Sequence, residues 1–375
     1  MRRKIERLTV KGFKSIRDMS DFPLGDINII VGANGAGKSN FVQLFRMVRA
    51  MLRKDFQNFV ATHGGAVAFL HNGLKVTKTV EAEFDFGKNS YRFALTPTAD
   101  ETFTISESKR FEDHGWSCYG SGLKESRIED EKDDVSSYYA NYGNYPGVGH
   151  YVYDAISRWV VYHFHDTSDT APMRQSEIVE DCAYLREDAA NIAPFLKALR
   201  EDGPEGKKSY GEIVDAVRLV MPFLDDFMLT PVNFGPATKV KLTWKQKGTD
   251  YPFQPYHLSD GAIRFICLAT ALLQPKPPST IIIDEPELGL HPQAISILAD
   301  LIKAAASRTQ VIVATQSPLL VDQFSIGDII VAKRKDGATA FERLNEKDYS
   351  AWLEDFTLGE LWTRNVIEGG PTHEQ

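Results

Sequence analysis

Gly32-Ala33-Asn34-Gly35-Ala36-Gly37-Lys38-Ser39 has the G-x-x-x-x-G-K-[ST] spacing of a loop able to wrap a chain of phosphates. Its glycines let successive main-chain N–H groups turn inward toward phosphate oxygens. A helix opening at its end would add a positive dipole terminus. Lys38 is expected to reach the β- and γ-phosphates, and the Ser39 hydroxyl to ligate Mg2+. The flanks agree with that reading. Residues 27–31 form an apolar run that reads as a buried strand, and 39–51 place Phe41, Leu44, Phe45 and Val48 at helical spacing. Asn40, next after Ser39, is included in the nucleotide-binding set. A glycine-rich turn that holds no nucleotide is the competing interpretation.

A second cluster lies far along the chain. Thr280-Ile281-Ile282-Ile283-Asp284-Glu285 is an apolar strand ending in two acids. Asp284 would hold the metal through water or the Ser39 hydroxyl, and Glu285 would polarise an attacking water. Lys38 and Mg2+ would stabilise charge on the transferred phosphoryl group. Such an acid pair is also an ordinary solvated strand end, and its pairing with the phosphate loop is what favours ATP hydrolysis. Between the two clusters, Leu258-Ser259-Asp260-Gly261 opens a helix over 262–274. Ser259 and the Gly261 N–H suit an anion at a helix N-terminus, although Ser and Asp cap helices on ordinary grounds as well.

The order of phosphate loop, Leu-Ser-Asp-Gly and acidic strand resembles the ABC-type ATPases. Their signature loop points at the γ-phosphate held by a second subunit, which implies that role for Ser259, Asp260 and Gly261. Residues 286–292 (Pro286-Glu287-Leu288-Gly289-Leu290-His291-Pro292) stand where the family has its interface-crossing D-loop. His291 is read as a loop residue or a dimer contact. Gln316, after the strand 309–315, stands where many relatives carry a switch histidine. Glutamine can bond a γ-phosphate or a water but cannot take up a proton. The family's Q-loop glutamine has no assigned position.

Asn34, the stretch Gly12-Phe13-Lys14-Ser15-Ile16 and the lack of transporter-like spacing resemble the RecF/SMC/OLD group, OLD meaning overcoming-lysogenization-defect. Gly64-Gly65-Ala66 to Gly73, residues 258–264, Ala314 to Pro318, and Leu358-Gly359-Glu360-Leu361-Trp362 are similar to its stand-alone predicted ATPases. The resemblance covers nearly the whole chain except about 106–150. It implies an α/β fold: an ABC-type P-loop head with an antiparallel β-subdomain and an inserted helical lobe. Expected divisions are an N-terminal lobe (1–105), an inserted region (106–230) and a C-terminal lobe (231–375).

The elements that must position these residues are legible in part. Residues 5–16 and 26–31 read as strands leading into the phosphate loop. Residues 76–86 alternate cleanly, with Val76, Val80, Ala82, Phe84 and Phe86 on one face, and Tyr91, Phe93 and Leu95 alternate after a turn. Residues 106–150, with a charge run at 124–134 and tyrosines from 138 to 145, read as a long exposed insertion or a surface that contacts a partner or, against the acidic neighbours, nucleic acid. Residues 189–200 and 210–222 have helical periodicity around a loop at 201–206. Without sustained heptads, long coiled-coil arms are excluded. Asp336-Gly337 between 328–333 and 339–344 signals a hairpin.

At 43% hydrophobic residues, 375 residues can bury a large core. No apolar run approaches the ~18 residues of a membrane span, and the basic N-terminus lacks a signal-peptide core. Cys118, Cys182 and Cys267 are scattered and odd in number, which argues for a reducing cytoplasm and against structural zinc. His163 and His165 share a strand face without a third ligand and are read as structural. The net charge is −8, yet residues 1–60 hold twelve Lys/Arg against five Asp/Glu. That basic start is compatible with DNA contact or with a plain solvated face.

The expected working unit is a homodimer, or higher oligomer, closed by two sandwiched ATP molecules. The 58 residues after Ser317 read as a hairpin plus a tail, too short for the nuclease domain of OLD-type relatives. By analogy the effector would be a separate protein, such as a nuclease in phage defence or DNA repair. The alternatives are a nucleotide-gated scaffold or DNA clamp with little hydrolysis, and an energy supplier for a transporter, which the motif details oppose.

Overall fold

The computed structural model describes residues 4–112, 114–135 and 146–370. Met1, Arg2, Arg3 and the tyrosine-rich run from Tyr138 to Tyr145 lie outside them. Two compact units divide the chain: Met1–Trp159 with Ser325–Gln375, and Val160–Phe324.

In the first unit, six strands form a wholly antiparallel sheet among the described residues. Their order is Ile16–Pro23, Arg7–Phe13, Val80–Asp85, Asn89–Pro97, Phe103–Phe111 and Ser117–Leu123. Residues 5–16, expected as one strand, break at a two-residue turn where Lys14 takes φ 50° and Phe13 pairs with Ile16. Val80, Ala82, Phe84, Tyr91, Phe93 and Leu95 are buried, as their alternation requires. The strand starts at Val80 rather than Val76. Thr77 N and Thr77 Oγ1 donate to the carbonyls of Gly73 and His71, so residues 73–77 form a turn and Val76 is exposed. Beneath the sheet, helix Lys38–Leu52 packs Phe45 against Phe84 and Trp159, with ring centroids 6.1 and 5.3 Å apart.

Of the span 106–150, expected as an exposed insertion, the described residues as far as Leu123 continue this sheet instead. Strands Phe103–Phe111 and Ser117–Leu123 are followed by helix Val148–Ser157. The alternation is masked because Glu107 takes the inward position after Phe103 and Ile105, and it is 1% exposed. Tyr91 Oη and Ser126 Oγ donate to its carboxylate at 2.8 and 2.9 Å, and Arg127 N at 2.5 Å. Three donors satisfy an acid that burial would otherwise exclude.

The same unit contains the phosphate-loop strand Ile27–Val31, parallel to Ile329–Lys335 with Ile29 opposite Ile329. Ile329–Lys335 turns into Ala338–Arg343 through Asp336 (φ 50°) and Gly337 (φ 75°), the two positive values of a type I′ hairpin.

In the second unit, Thr280–Asp284 and Gln310–Thr315 run parallel, from Thr280 opposite Gln310 to Asp284 opposite Ala314. Helix Pro292–Ala306 makes the crossover that parallel strands need. Helix Asp260–Leu273 is apolar and largely buried. Ile192–Glu201 and Pro204–Val220 are the helices expected there, but the intervening loop is only Asp202-Gly203. Pro204 starts the second helix, where its missing N–H costs nothing. Among the described residues no helix is long and apolar enough to cross a membrane.

Burial pushes the Glu107 carboxyl above its ordinary range, and the Arg127 N–H, Tyr91 and Ser126 donors oppose that shift. The folded state therefore binds this proton more tightly than the unfolded chain, so the contribution falls as pH rises from the unfolded toward the folded pKa. The stability difference between wild type and Glu107→Gln should accordingly shift against wild type as pH rises above the ordinary glutamate range of about 4.3, read from urea midpoints. A pH-independent difference would contradict it.

Candidate functional site

The residues of interest divide between the two units. In the first, strand Ile27–Val31 delivers the chain into the glycine loop with Ile29, Ile30 and Val31 wholly buried. A Cβ on Gly32 would stand 2.4 Å from the Ala332 carbonyl, so only glycine fits this approach. Gly37, at φ 108°, is the N-cap of helix Lys38–Leu52 and supplies no side-chain cap. The start of a helix presents N–H groups of the kind that suit an anion. Lys38 is buried, and its Nζ donates to the carbonyls of Gly32 at 2.7 Å and Ala33 at 3.2 Å. Asn34, Gly35 and Ser39 are exposed. Asn40 turns the other way, and its amide donates to Ser15 Oγ at 2.7 Å. Ala33 N donates to Gly369 O, which also accepts from the Trp362 indole of helix Leu358–Thr363.

The second unit positions the signature-like loop and the acids. Ser259 Oγ caps its own helix by accepting from Ala262 N at 3.2 Å, so the ordinary capping role is present. A Cβ on Gly261 would lie 2.3 Å from Gly289 O, so this glycine lets the loop at 286–290 pack on the helix start. A cleft beside that contact is lined by Phe223, Trp244, Ser259, Gly261, Gly289 and His291. His291 caps helix Pro292–Ala306, with its ring nitrogen accepting from Gln293 N.

Two buried arginines hold this loop system. Arg174 donates to the carbonyls of Thr167 and Leu258 at 2.9 and 3.1 Å, to Pro255 O, and to Asp260 Oδ1 at 3.0 Å. Arg264 donates to the carbonyls of Phe164 (2.9 Å), His165 (3.2 Å) and Leu288.

Strand Thr280–Asp284 ends beside its partner strand, and Glu285 follows in the left-handed region at φ 45° with its N–H on Ala314 O at 2.8 Å. A non-glycine residue there is strained, and its side chain is turned to where Gln316 Nε2 donates to Oε1 at 2.7 Å. Glu287 Oε1 accepts from Thr315 Oγ1 at 2.5 Å and Gln316 N at 3.2 Å. Burial pushes the Glu287 carboxyl above its usual range. His165 Nε2 lies 2.9 Å from Asp284 O, and the His163 and His165 rings lie 4.3 Å apart. The hydroxyl of Ser39 and the carboxylate of Asp284 are hard oxygen donors of the kind Mg2+ takes.

A family profile described as "AAA domain, putative AbiEii toxin, Type IV TA system" matches residues 27–322. The chain belongs to this family. Over 371 residues it is 22% identical to the OLD nuclease of Thermus scotoductus, a match covering 92% of this chain and 65% of that protein. It is 33% identical over 128 residues to the chromosome partition protein Smc of Rhodopseudomonas palustris, covering 34% and 11% respectively. The chain thus spans less than two thirds of the length of these curated relatives. Among solved structures it resembles an Smc head bound to the C-winged helix domain of ScpA (TM-score 0.54, 18% identity, 92% of this chain and 99% of that one). It also resembles an Smc head with an extended coiled coil, bound to the C-terminal domain of ScpA derived from Pyrococcus furiosus (TM-score 0.53, 17% identity, 94% and 99%). The α/β ABC-type ATPase head of the RecF/SMC/OLD kind, expected from the motifs, is the fold of this chain.

Sequence reasoning overlooked Arg174, took Arg264 and Glu287 only as members of the stretches 258–264 and 286–292, and read His165 as structural. Arg264 had a readable signal, because an arginine between Ile263 and Phe265 on an apolar helix is out of place unless its charge is satisfied. Arg174 had none, since all its acceptors but the Thr167 carbonyl lie 81 to 86 residues away. Arg264→Met keeps the stem and removes three carbonyl contacts. It should lower stability by roughly 2–4 kcal/mol in urea unfolding and speed proteolysis within 286–290. An unchanged midpoint would remove Arg264 from the support of that loop.

Proposed function

We propose that the protein is a Mg2+-dependent ATPase head that dimerises around ATP and gates a DNA-related effector. The observation that carries hydrolysis is the 2.7 Å bond from the Gln316 amide to Glu285. It leaves the carboxylate anchored at one oxygen and able to accept a water proton at the other. In this proposal the N–H groups at the start of the helix after Gly37 and the Lys38 ammonium bind the nucleotide phosphates. Ser39 and Asp284 hold Mg2+, which supplies charge neutralisation on the phosphoryl oxygens. Glu285 orients and deprotonates the attacking water, and Gln316 keeps Glu285 in place. Each of two sites would combine one copy's phosphate loop with the other copy's Ser259 loop. Binding would close the dimer and hydrolysis would reopen it.

The proposed effector is a separate protein, such as a nuclease in phage defence or DNA repair, with DNA as a direct or indirect trigger. The likeness to a protein named OLD nuclease and to a chromosome partition protein supports that class. A cytoplasmic setting goes with it. A second reading is a nucleotide-gated scaffold or clamp with little turnover. It is favoured by Gln316, whose amide cannot exchange a proton during the cycle.

Glu285→Gln is expected to lower ATP turnover by about 10²-fold or more while keeping ATP binding, and ATP should then trap a dimer in light scattering. Gln316→Ala should lower kcat about tenfold with KM little changed, because it releases Glu285 without touching the phosphate loop. Turnover with double-stranded DNA present tests the DNA-related role. Wild type that binds ATP, neither hydrolyses it nor dimerises, would leave the scaffold.

A further inference from the structure

Thr339, in the hairpin near the end of the chain, touches the phosphate loop from outside. Its side chain is 3% exposed, and Oγ1 lies 2.8 Å from Ala36 O and 2.7 Å from Ser15 Oγ. Ser15 sits in the turn between the first two strands and also accepts from Asn40 Nδ2 at 2.7 Å. The main chains are tied as well, with Thr339 N donating to Ser15 O at 2.7 Å.

A carbonyl oxygen only accepts and an amide Nδ2 only donates. Thr339 Oγ–H is the donor to both oxygens, and Ser15 Oγ also accepts from Asn40 Nδ2–H, so the one hydrogen of Thr339 is shared between a carbonyl that can only accept and a hydroxyl that Asn40 already supplies. The Ala36 carbonyl and the first turn of the helix are thereby tied to one cluster of side chains.

Its consequence lies on the far side of one peptide bond. The Ala36–Gly37 unit is planar and trans, so fixing the Ala36 carbonyl fixes the Gly37 N–H in the opposite direction. Gly37 has no side chain to restrain it, and a glycine at φ 108° has wide freedom. Thr339 also crowds that position, since a Cβ on Gly37 would stand 2.2 Å from Oγ1.

We propose that Thr339, set by Ser15, is a positioning residue that aims the Gly37 N–H at bound phosphate. This rests on the loop taking a nucleotide, and it goes beyond that by giving the terminal hairpin a part in affinity. A preset N–H avoids the ordering cost that a mobile glycine loop would pay on binding.

The test is ATP affinity by titration calorimetry with Mg2+, for wild type, Thr339→Val, Thr339→Ser and Lys38→Ala, alongside thermal unfolding without nucleotide. Valine keeps the volume and removes the hydroxyl. Thr339→Val should weaken ATP roughly three- to tenfold, with Thr339→Ser restoring it. Ser15→Ala should show a smaller loss in the same direction. Wild-type affinity in Thr339→Val while Lys38→Ala fails to bind overturns the positioning role and keeps the nucleotide site. A weakening that Thr339→Ser does not restore, or that follows a collapse of the unfolding midpoint, assigns Thr339 to packing and also overturns it. No binding by wild type removes the nucleotide reading itself.

Discussion

The loops that hold the candidate site residues of this chain depend on side-chain donors placed on main-chain carbonyls. A loop lacks the ladder of a helix or strand, so each buried carbonyl needs a partner from elsewhere or pays for its burial. Lys38 serves Gly32 and Ala33, Thr339 serves Ala36, Arg174 serves Pro255 and Leu258, and Arg264 serves Phe164, His165 and Leu288. Arginine suits the larger task because its fork spans several acceptors and does not lose its charge on burial. Each donor acts on backbone, so it restrains the shape of a loop whatever side chains that loop presents.

Glycine appears where two backbones meet with no room for a Cβ. Gly32 lies against Ala332 O and Gly261 against Gly289 O. These contacts and the carbonyl donors work in the same sense. The glycine permits the approach and the donor holds it, as at Gly261, where Arg264 grips the carbonyl of Leu288 beside Gly289. Around Glu285 the restraint is different. The residue is strained at positive φ, its N–H is tied to Ala314, and its carboxylate is tied to Gln316, whose own N–H is tied to Glu287. A strained residue with three successive tethers is an over-determined geometry, which is how a protein keeps a side chain in one orientation.

The division between what was legible and what was not follows the range of the interactions. The strand 27–31, its glycine loop, its helix and the hairpin at Asp336-Gly337 depend on local chemistry: apolar periodicity, positive-φ residues and helix starts. Sequence alone therefore determined them, together with the acidic strand and the membership of the ABC-type fold. Where the code was interrupted the reading failed. Glu107 broke the apolar alternation of its strand, so a sheet strand looked like exposed insertion, and Pro204 opened a helix that looked like loop.

Tertiary structure decided the partners. That the hydroxyl of Thr339 would meet Ala36, some 300 residues earlier, is not encoded in any pattern near either residue. The same holds for Arg174 reaching Leu258 and for Gln316 turning onto Glu285. Sequence spacing determines which residue types stand at a loop or strand end, because those depend on backbone conformation a few residues wide. Which long-range donor satisfies each carbonyl or carboxylate depends on packing of the whole chain, and only the folded molecule contains that information.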